Sequence, residues 1–397
     1  MGSIITLGID KFEIEWGKNN IFNNHSNLFQ KTDIKKEKYY YANNYTEIKD
    51  AYSAPLRKVK KRLDMLGYSL TNIQKLYRMA INEFKKHTNC KRMPSFKQLY
   101  DTLSMINLGA VKLTEEDECN DHDFGKYFKN CIAPKLGFND KDFAYDFGEF
   151  YENLDPYIIV RLLAENHNNM KKNVIWCYQD IVDGGYVSKT DIYQELNENN
   201  KFLIVTEGTS DLFIIEKCLK LFHPEIIDFF SFIDMQDNYP FTGSGNLYKF
   251  IQGLSKIHPV NNVLAIFDND TEGNDKYEQS KDINLPHNIK IVKLPTLKGF
   301  QKFKTIGPSG MNMQNINGCA VAIECFLDLK YNINTSPIIR WTSYNNNLRR
   351  YQGVLENKDN YVRQFKKATP NHSAYDFAKL ISLTDTIINH CIELIDK

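Results

Sequence analysis

Hydrophobic and polar positions alternate in short runs at the start of the chain and then settle into a helical period. Ser3 to Ile9 and Phe12 to Trp16 alternate or run apolar around the turn-like Asp10-Lys11, which predicts a β-hairpin over residues 1–17. An isolated hairpin is marginal in water, so this one is expected to pair with another strand. Residues 18–50, rich in Asn, Lys and Tyr, show weak periodicity and read as a loop-bearing connector. From residue 54 to about residue 152 the pattern is helical: Pro55 suits a first turn, Leu56, Val59, Leu63 and Leu66 recur at three- and four-residue steps, and Gly67 is a stop. Residues 70–87, 95–106 and 159–166 supply further helical stretches. Val174 to Tyr186 reads as a strand or short helix closed by Gly184-Gly185, which is expected to be the joint with the next domain.

Beyond residue 200 the pattern changes again. Phe202-Leu-Ile-Val205 and Val263-Leu-Ala-Ile-Phe267 are continuous apolar runs, as strands covered on both faces require, and residues 226–233 and 289–294 can supply two more. Helical patterns over residues 212–222, 247–257 and 275–282 separate them, giving a βαβαβαβ order and a doubly wound sheet. Ligands of such sheets bind beyond the carboxyl ends of the strands. Two acidic motifs fall there: Glu207-Gly208-Thr209-Ser210-Asp211 after the first strand and Asp268-Asn269-Asp270-Thr271-Glu272-Gly273 after the third. Their carboxylates are hard oxygen donors of the kind that suits Mg2+ (or Mn2+), an ion that keeps several waters and takes one or two carboxylates plus a substrate phosphate. Gly208 permits close backbone approach, Gly273 a tight exit, and Thr209 or Ser210 is the expected N-cap.

Charge and composition narrow the partners. With 50 Lys+Arg against 49 Asp+Glu there is no global basic field, so any nucleic-acid contact must use local patches. The eight cysteines form no CxxC pair and read as reduced, packed thiols. The opening residues lack a basic region followed by a long apolar stretch, and no run approaches the ~20 apolar residues that span a bilayer. A cytoplasmic protein with no membrane partner is expected.

Glu207-Gly208 at one strand end, followed 61 residues later by Asp268-x-Asp270-x-x-Gly273 at another, resembles the Toprim domain of topoisomerases, primases and overcoming-lysogenization-defect-type nucleases. The resemblance covers about a quarter of the chain. It implies that Glu207 acts as general acid or base and that Asp268 and Asp270 bind metal; because four carboxylates of the two motifs can converge, Glu207 and Asp211 are candidate metal ligands as well. A wider resemblance, to the bacterial HEPN/Toprim-associated family, is carried by Met1-Gly2-Ser3, Val59-Lys-Lys-Arg-Leu-Asp-Met-Leu-Gly67, Asp183-Gly-Gly-Tyr186 and Asn317-Gly-Cys-Ala-Val-Ala-Ile-Glu324. Toprim nucleases of the defence type are similar in having a later acid on a helix, which implies Glu324 as a metal ligand; Lys330 and Arg340 are candidate phosphate contacts. The fold implied is α+β and multidomain: an N-terminal hairpin and connector (1–50), a helical HEPN-like domain (51–185), a Toprim α/β domain with a mainly parallel sheet (198–332), and a C-terminal extension (333–397). The function implied is a Mg2+-dependent endonuclease cutting DNA or RNA phosphodiesters in anti-phage defence. The helical part is a candidate for substrate or partner recognition or for homo-oligomer formation.

Several local patterns carry two readings. Arg161-x5-His167 fits a loose metal-independent ribonuclease pattern of HEPN domains, but such pairs are common and a surface helix is the preferred reading. Lys58, Lys60, Lys61 and Arg62 read as the solvated face of a helix rather than a phosphate stripe, and the acidic residues 115–123 as a solvated loop. Cations alternate with aromatics in Arg340-Trp341-Thr-Ser-Tyr344 and Arg349-Arg350-Tyr351, a composition suited to stacking on bases and holding phosphates in a substrate channel, and nearly as well to core packing of Trp341 beside a surface Arg340. The rival from another class is a non-catalytic nucleotide- or nucleic-acid-sensing scaffold. Crowding of like charges argues against a dead site.

Overall fold

The computed structural model describes all residues except 1–2, 42–44, 89–92, 112–149, 152, 233–242, 333–334, 347, 371–373 and 397. The acidic segment 115–123 lies outside the described residues. Residues 1–196 form one compact unit and residues 197–395 a second. Among the described residues no helix is long and apolar enough to cross a membrane.

Unit 1 is built on an antiparallel sheet. The hairpin is present as β1 (Ile4–Ile9) and β2 (Phe12–Lys18), turning at Asp10 with φ +50°. The expected connector is instead two further strands, β3 (Ile34–Tyr40) and β4 (Thr46–Pro55). They escape pattern reading because β3 keeps only Tyr39 buried among exposed lysines, so it shows no apolar alternation. After β4 come α1 (Leu56–Met65), α2 (Leu70–His87), α3 (Phe96–Leu103) and α4 (Pro156–Leu163), then β5 (Asn173–Cys177), α5 (Gln179–Asp183) and the single turn α6 (Lys189–Ile192). The sheet order is β2-β1-β5-β4-β3, so β5 is the partner that completes the hairpin. A boundary between residues 50 and 51 would cut β4, and the joint lies not at Gly184-Gly185 but at residues 196–197.

The core of unit 1 lies between this sheet and the helices. Leu56, Val59 and Leu63 of α1 are fully buried with Ile158, Ile159 and Leu162 of α4, and Tyr52 stacks on Trp176 at 5.8 Å. Gly67, at φ +89°, ends the α1 segment as its sequence suggests. The basic stripe is not a free solvated face. Arg62 is buried with Nε donating to Asn27 O at 2.9 Å, and Lys58 and Lys60 pair with Asp33 and Asp64.

Unit 2 contains the parallel sheet. Its strands are β6 (Phe202–Thr206), β7 (Phe230–Phe232), β8 (Asn262–Phe267) and β10 (Ile289–Lys293), in the order β10-β8-β6-β7 and all parallel. The helices α7 (Thr209–Phe222), α8 (Ser244–Ile257) and α9 (Thr271–Ser280) connect them, and the two-residue β9 (Asn269–Asp270) precedes α9. Every residue of β8 is buried, which explains its unbroken apolar run. β7 is shorter than the pattern suggests because Pro224–Phe229 forms a 3-10 helix in front of it.

A second sheet joins segments that the sequence reading separates. β11 (Phe303–Gly307), β12 (Gly310–Gln314), β14 (Ile339–Asn345) and β15 (Arg350–Leu355) form the order β12-β11-β14-β15. The boundary expected at 332/333 therefore runs through one sheet, with Thr305 of β11 paired to Ile339 of β14. The short β13 (Ala320–Val321) pairs antiparallel with β9, and α10 (Lys358–Lys367) and α11 (Ala378–Ile395) close the unit. The cation and aromatic segment 340–344 lies in β14, whose register against β15 shifts between Trp341 and Ser343.

Candidate functional site

The register of β6 against β8 pairs Thr206 with Ile266, so the two strands release their acidic loops side by side. The Asp268 amide donates to Glu207 Oε1 at 2.9 Å, joining residues 61 apart in sequence. Gly273 is required where these loops meet: a Cβ there would stand 2.4 Å from Asp268 O and 2.9 Å from Glu207 Oε1. Gly208 meets no such obstacle; it is the N-cap of α7, and its amide donates to Asp211 Oδ2 at 3.1 Å. The N-cap is thus neither Thr209 nor Ser210. Asp270 caps α9, accepting from the Gly273 amide at 2.7 Å on one oxygen and from Gln352 Nε2 on the other.

Glu324 reaches this rim through a strand pairing. Val321 pairs with Asn269, and a 3-10 turn, Ile323–Phe326, comes directly after. It is a 3-10 turn rather than an amphipathic α-helix, and all four of its residues are buried. Its Glu324 Oε1 accepts from Ser210 Oγ at 3.4 Å and lies 3.8 Å from Lys358 Nζ.

These carboxylates act on one another. Asp268 is held well above the usual carboxylate range, first by desolvation and then by the negative charges of Asp211, Glu207, Asp270 and Glu324. Desolvation also raises Glu207 to about 8, offset in part by the Asp268 amide and reinforced by Asp270 and Asp211. Asp211 rises to about 7 for the same leading reason, with Glu324 adding to it. Asp270 is raised by burial, although the Gly273 amide and Gln352 pull it back. Among the described residues no hydrogen-bond donor meets the Asp268 side chain, and its residue keeps partial solvent contact.

The donor set is entirely oxygen and suits a hard divalent cation. Among the described residues, however, no three His, Cys, Asp or Glu side chains stand in a ligating arrangement, because most of these oxygens are turned to local donors. Magnesium commonly needs only one or two carboxylates with waters and a phosphate, so the chemistry of the set fits that ion without a preformed cage.

Lys330 is exposed, and its charge bears on Lys379. Arg340 is ion-paired through Nε to Glu356 Oε1 at 2.6 Å. Sequence reasoning missed Gln352, Ser210 and Lys358. Gln352 bonds Asp270 and also accepts from the Thr271 and Glu272 amides, at 2.9 and 3.1 Å. Nothing local marks it, since it acts on a loop 82 residues away.

In unit 1, Arg161 is not on a helix surface but buried in α4, with Nε 2.7 Å from Asp64 Oδ1 and Nη1 on Glu165. His167 is exposed in the 3-10 turn His167–Asn169. The family described as HEPN/Toprim N-terminal domain 1 matches residues 1–200, half of the chain. No curated protein and no solved structure matches. The matched residues cover unit 1 and end before Glu207.

Proposed function

The chain belongs to the HEPN/Toprim-associated family, and from that premise we propose that unit 2 is a divalent-metal-dependent nuclease domain acting on nucleic-acid phosphodiesters. The observation that carries this reading is the Asp268 carboxylate, met by no donor among the described residues and raised first by burial and then by four neighbouring acids. A fold that crowds five acids against one lysine, Lys358, is arranged for an external cation. Asp268 and Asp270 would hold Mg2+ or Mn2+, with Asp211 and Glu324 as the acids behind them. When bound, such an ion polarises a phosphoryl oxygen and lowers the pKa of coordinated water.

The chain's own residues supply the rest. Glu207, raised to about 8, exchanges its proton near neutral pH, which matches a group that takes a proton from water or returns one to the leaving oxygen. The Asp268 amide fixes the position of Oε1. Gln352 and the Gly273 amide orient Asp270, and Ser210 and Lys358 position Glu324. Hydrolysis is favoured over transesterification, since none of the 23 tyrosines is singled out as a nucleophile. A role in anti-phage defence follows from the family resemblance and not from the site.

The test is incubation of the purified protein with single- and double-stranded DNA and RNA in Mg2+, Mn2+ or EDTA. Cutting that needs the metal and disappears in Glu207→Gln and Asp268→Asn is expected. Cutting that persists in EDTA would transfer the activity to another site, and cation binding without cutting would make the domain a sensor.

A further inference from the structure

Beside the acidic rim, the second sheet of unit 2 carries an aromatic surface with an unusual foundation. In register, Trp341 of β14 is paired with Gly353 of β15, while Gly307 follows the residue of β11 that pairs with Arg340. A Cβ at Gly307 would stand 2.8 Å from Trp341 Cδ1, and one at Gly353 would stand 2.6 Å from Ile339 Cγ2, 2.7 Å from Ala320 Cβ and 2.9 Å from Trp341 Cε3. The indole therefore packs against the backbone of two glycines, and its Nε1 is anchored to Gln314 Oε1 at 2.7 Å. Tyr351 and Tyr344 border it, with ring centroids 6.1 Å from Trp341 to Tyr351 and 4.8 Å from Tyr351 to Tyr344.

An aromatic that covers cross-strand glycines stabilises a sheet by itself. That role does not call for the exposure of the two tyrosines, at 47% for Tyr344 and 44% for Tyr351. Nor does it call for the charges alongside. Arg349 and Arg350 are exposed, and among the described residues neither has a carboxylate partner, in contrast to Arg340. Arg350 Nη1 lies over Gly318, 3.3 Å from where a Cβ would be, and the Gly318 amide donates to Asn269 O in the acidic loop. Tyr351 O accepts from Thr271 Oγ1 at 2.7 Å, and the next residue, Gln352, holds Asp270. Aromatic surface, unpaired arginine and acidic rim are thus consecutive along one strand.

Flat, edge-anchored rings suit a planar heteroaromatic ligand, and the arginines suit anionic linkers between such rings. We propose that the exposed end of β14 and β15, where Trp341, Tyr344 and Tyr351 border one another, is a stacking platform for unpaired bases of a single-stranded nucleic acid, with Arg349 and Arg350 holding the phosphates that lead toward the acidic rim. This rests on the nuclease reading of that rim. Duplex bases are already stacked on one another, so the platform selects single strands.

The experiment uses the full chain carrying Asp268→Asn, which keeps the strand intact, and fluorescence anisotropy with labelled DNA and RNA strands roughly 12 nucleotides long. Each strand is compared with an abasic version of equal charge and with its duplex. Base-bearing single strands of at least one sugar type are expected to bind about tenfold tighter than abasic strands. Adding Trp341→Ala should remove that advantage while leaving abasic binding unchanged, and Trp341→Phe should restore most of it. Equal affinity for base-bearing and abasic strands overturns the platform, as does a Trp341→Ala loss of equal size on both, which marks a purely structural tryptophan. If base-dependent binding is found but the unsubstituted protein cuts nothing, the nuclease reading falls and the platform stands; metal-dependent cutting with base-independent binding does the reverse.

Discussion

Buried charge is handled in opposite ways in the two units. In unit 1, Arg161 and Lys60 face Asp64 and Glu165 at 2.5 to 3.7 Å. Burial pushes Glu165 upward, but Arg161 and Lys60 outweigh it and hold its carboxyl below the usual range. Two cations meet two anions, and the charges balance within the chain. In unit 2 the acids outnumber the cations near them: Asp268, Glu207 and Asp211 are all raised, with Lys358 set against Glu324. The difference teaches where to look for chemistry. A balanced buried cluster is scaffold, whereas a lopsided one carries unfavourable energy that proton uptake or a bound cation relieves.

The comparison is broken most severely at its lopsided end. Asp268→Asn should lower the cutting rate at least about a thousandfold, equivalent to roughly 4 kcal/mol of barrier. The same change should leave the fold as stable or raise its stability by about 1 kcal/mol, because it removes an acid whose ionisation is opposed by burial and by four neighbouring acids. Cleavage assays and urea unfolding on the same preparation check both halves; a loss of stability would mean that the cluster is not under repulsive load.

At the balanced end the signs reverse. Arg161→Ala leaves Asp64 and Glu165 without their buried partner and should cost roughly 3 kcal/mol in urea unfolding. Cutting per folded molecule should stay the same. A stability change under about 0.5 kcal/mol would show that these pairs carry no structural weight.

Part of this contrast is legible in the sequence, and the reason is local. Strands covered on both faces must be continuously apolar, and carboxylates directly after such runs fall at strand ends; Val263 to Phe267 followed by Asp268 states both facts in six residues. The edges were not legible. The β3 strand Ile34–Tyr40 faces solvent through its lysines and so lacks a period, and Arg62 looks solvated until Asn27 O is found beside it. Gln352 and Lys358 belong to a stretch set apart as an extension. Their bonds to Asp270 and Glu324 come from sheet pairing, a long-range event without a local signature. The family match ends at residue 200, so the rim of unit 2 rests on its own geometry.

The comparison is sharpened by pH. Glu207 and Asp211 have folded-state values near 8 and near 7, above their ordinary carboxylate values. The folded state therefore holds more protons than the unfolded one across the intervening range, so metal-free stability is greatest at low pH and declines as pH rises. The decline should be up to about 6 kcal/mol between about pH 5 and about pH 8. Divalent cations bind the ionised acids, so their protective effect should grow over the same interval, by about 2.7 kcal/mol at a hundredfold excess over Kd. Thermal unfolding in EDTA and in Mg2+ checks this; a metal-free curve that rises with pH would contradict the raised acids.

The smallest effect tests the rival chemistry in unit 1. A metal-independent ribonuclease built on Arg161 and His167 needs both side chains presented to one phosphate. Arg161 instead turns its Nε to Asp64 and its Nη1 to Glu165, and His167 sits exposed in a separate 3-10 turn. An exposed side chain in such a place contributes within about 0.5 kcal/mol to stability. His167→Ala should therefore change neither unfolding nor cutting beyond experimental scatter, with or without divalent metal. A tenfold or greater loss of RNA cleavage in EDTA would reverse the assignment: the balanced cluster would then be a catalytic device and the lopsided one a sensor.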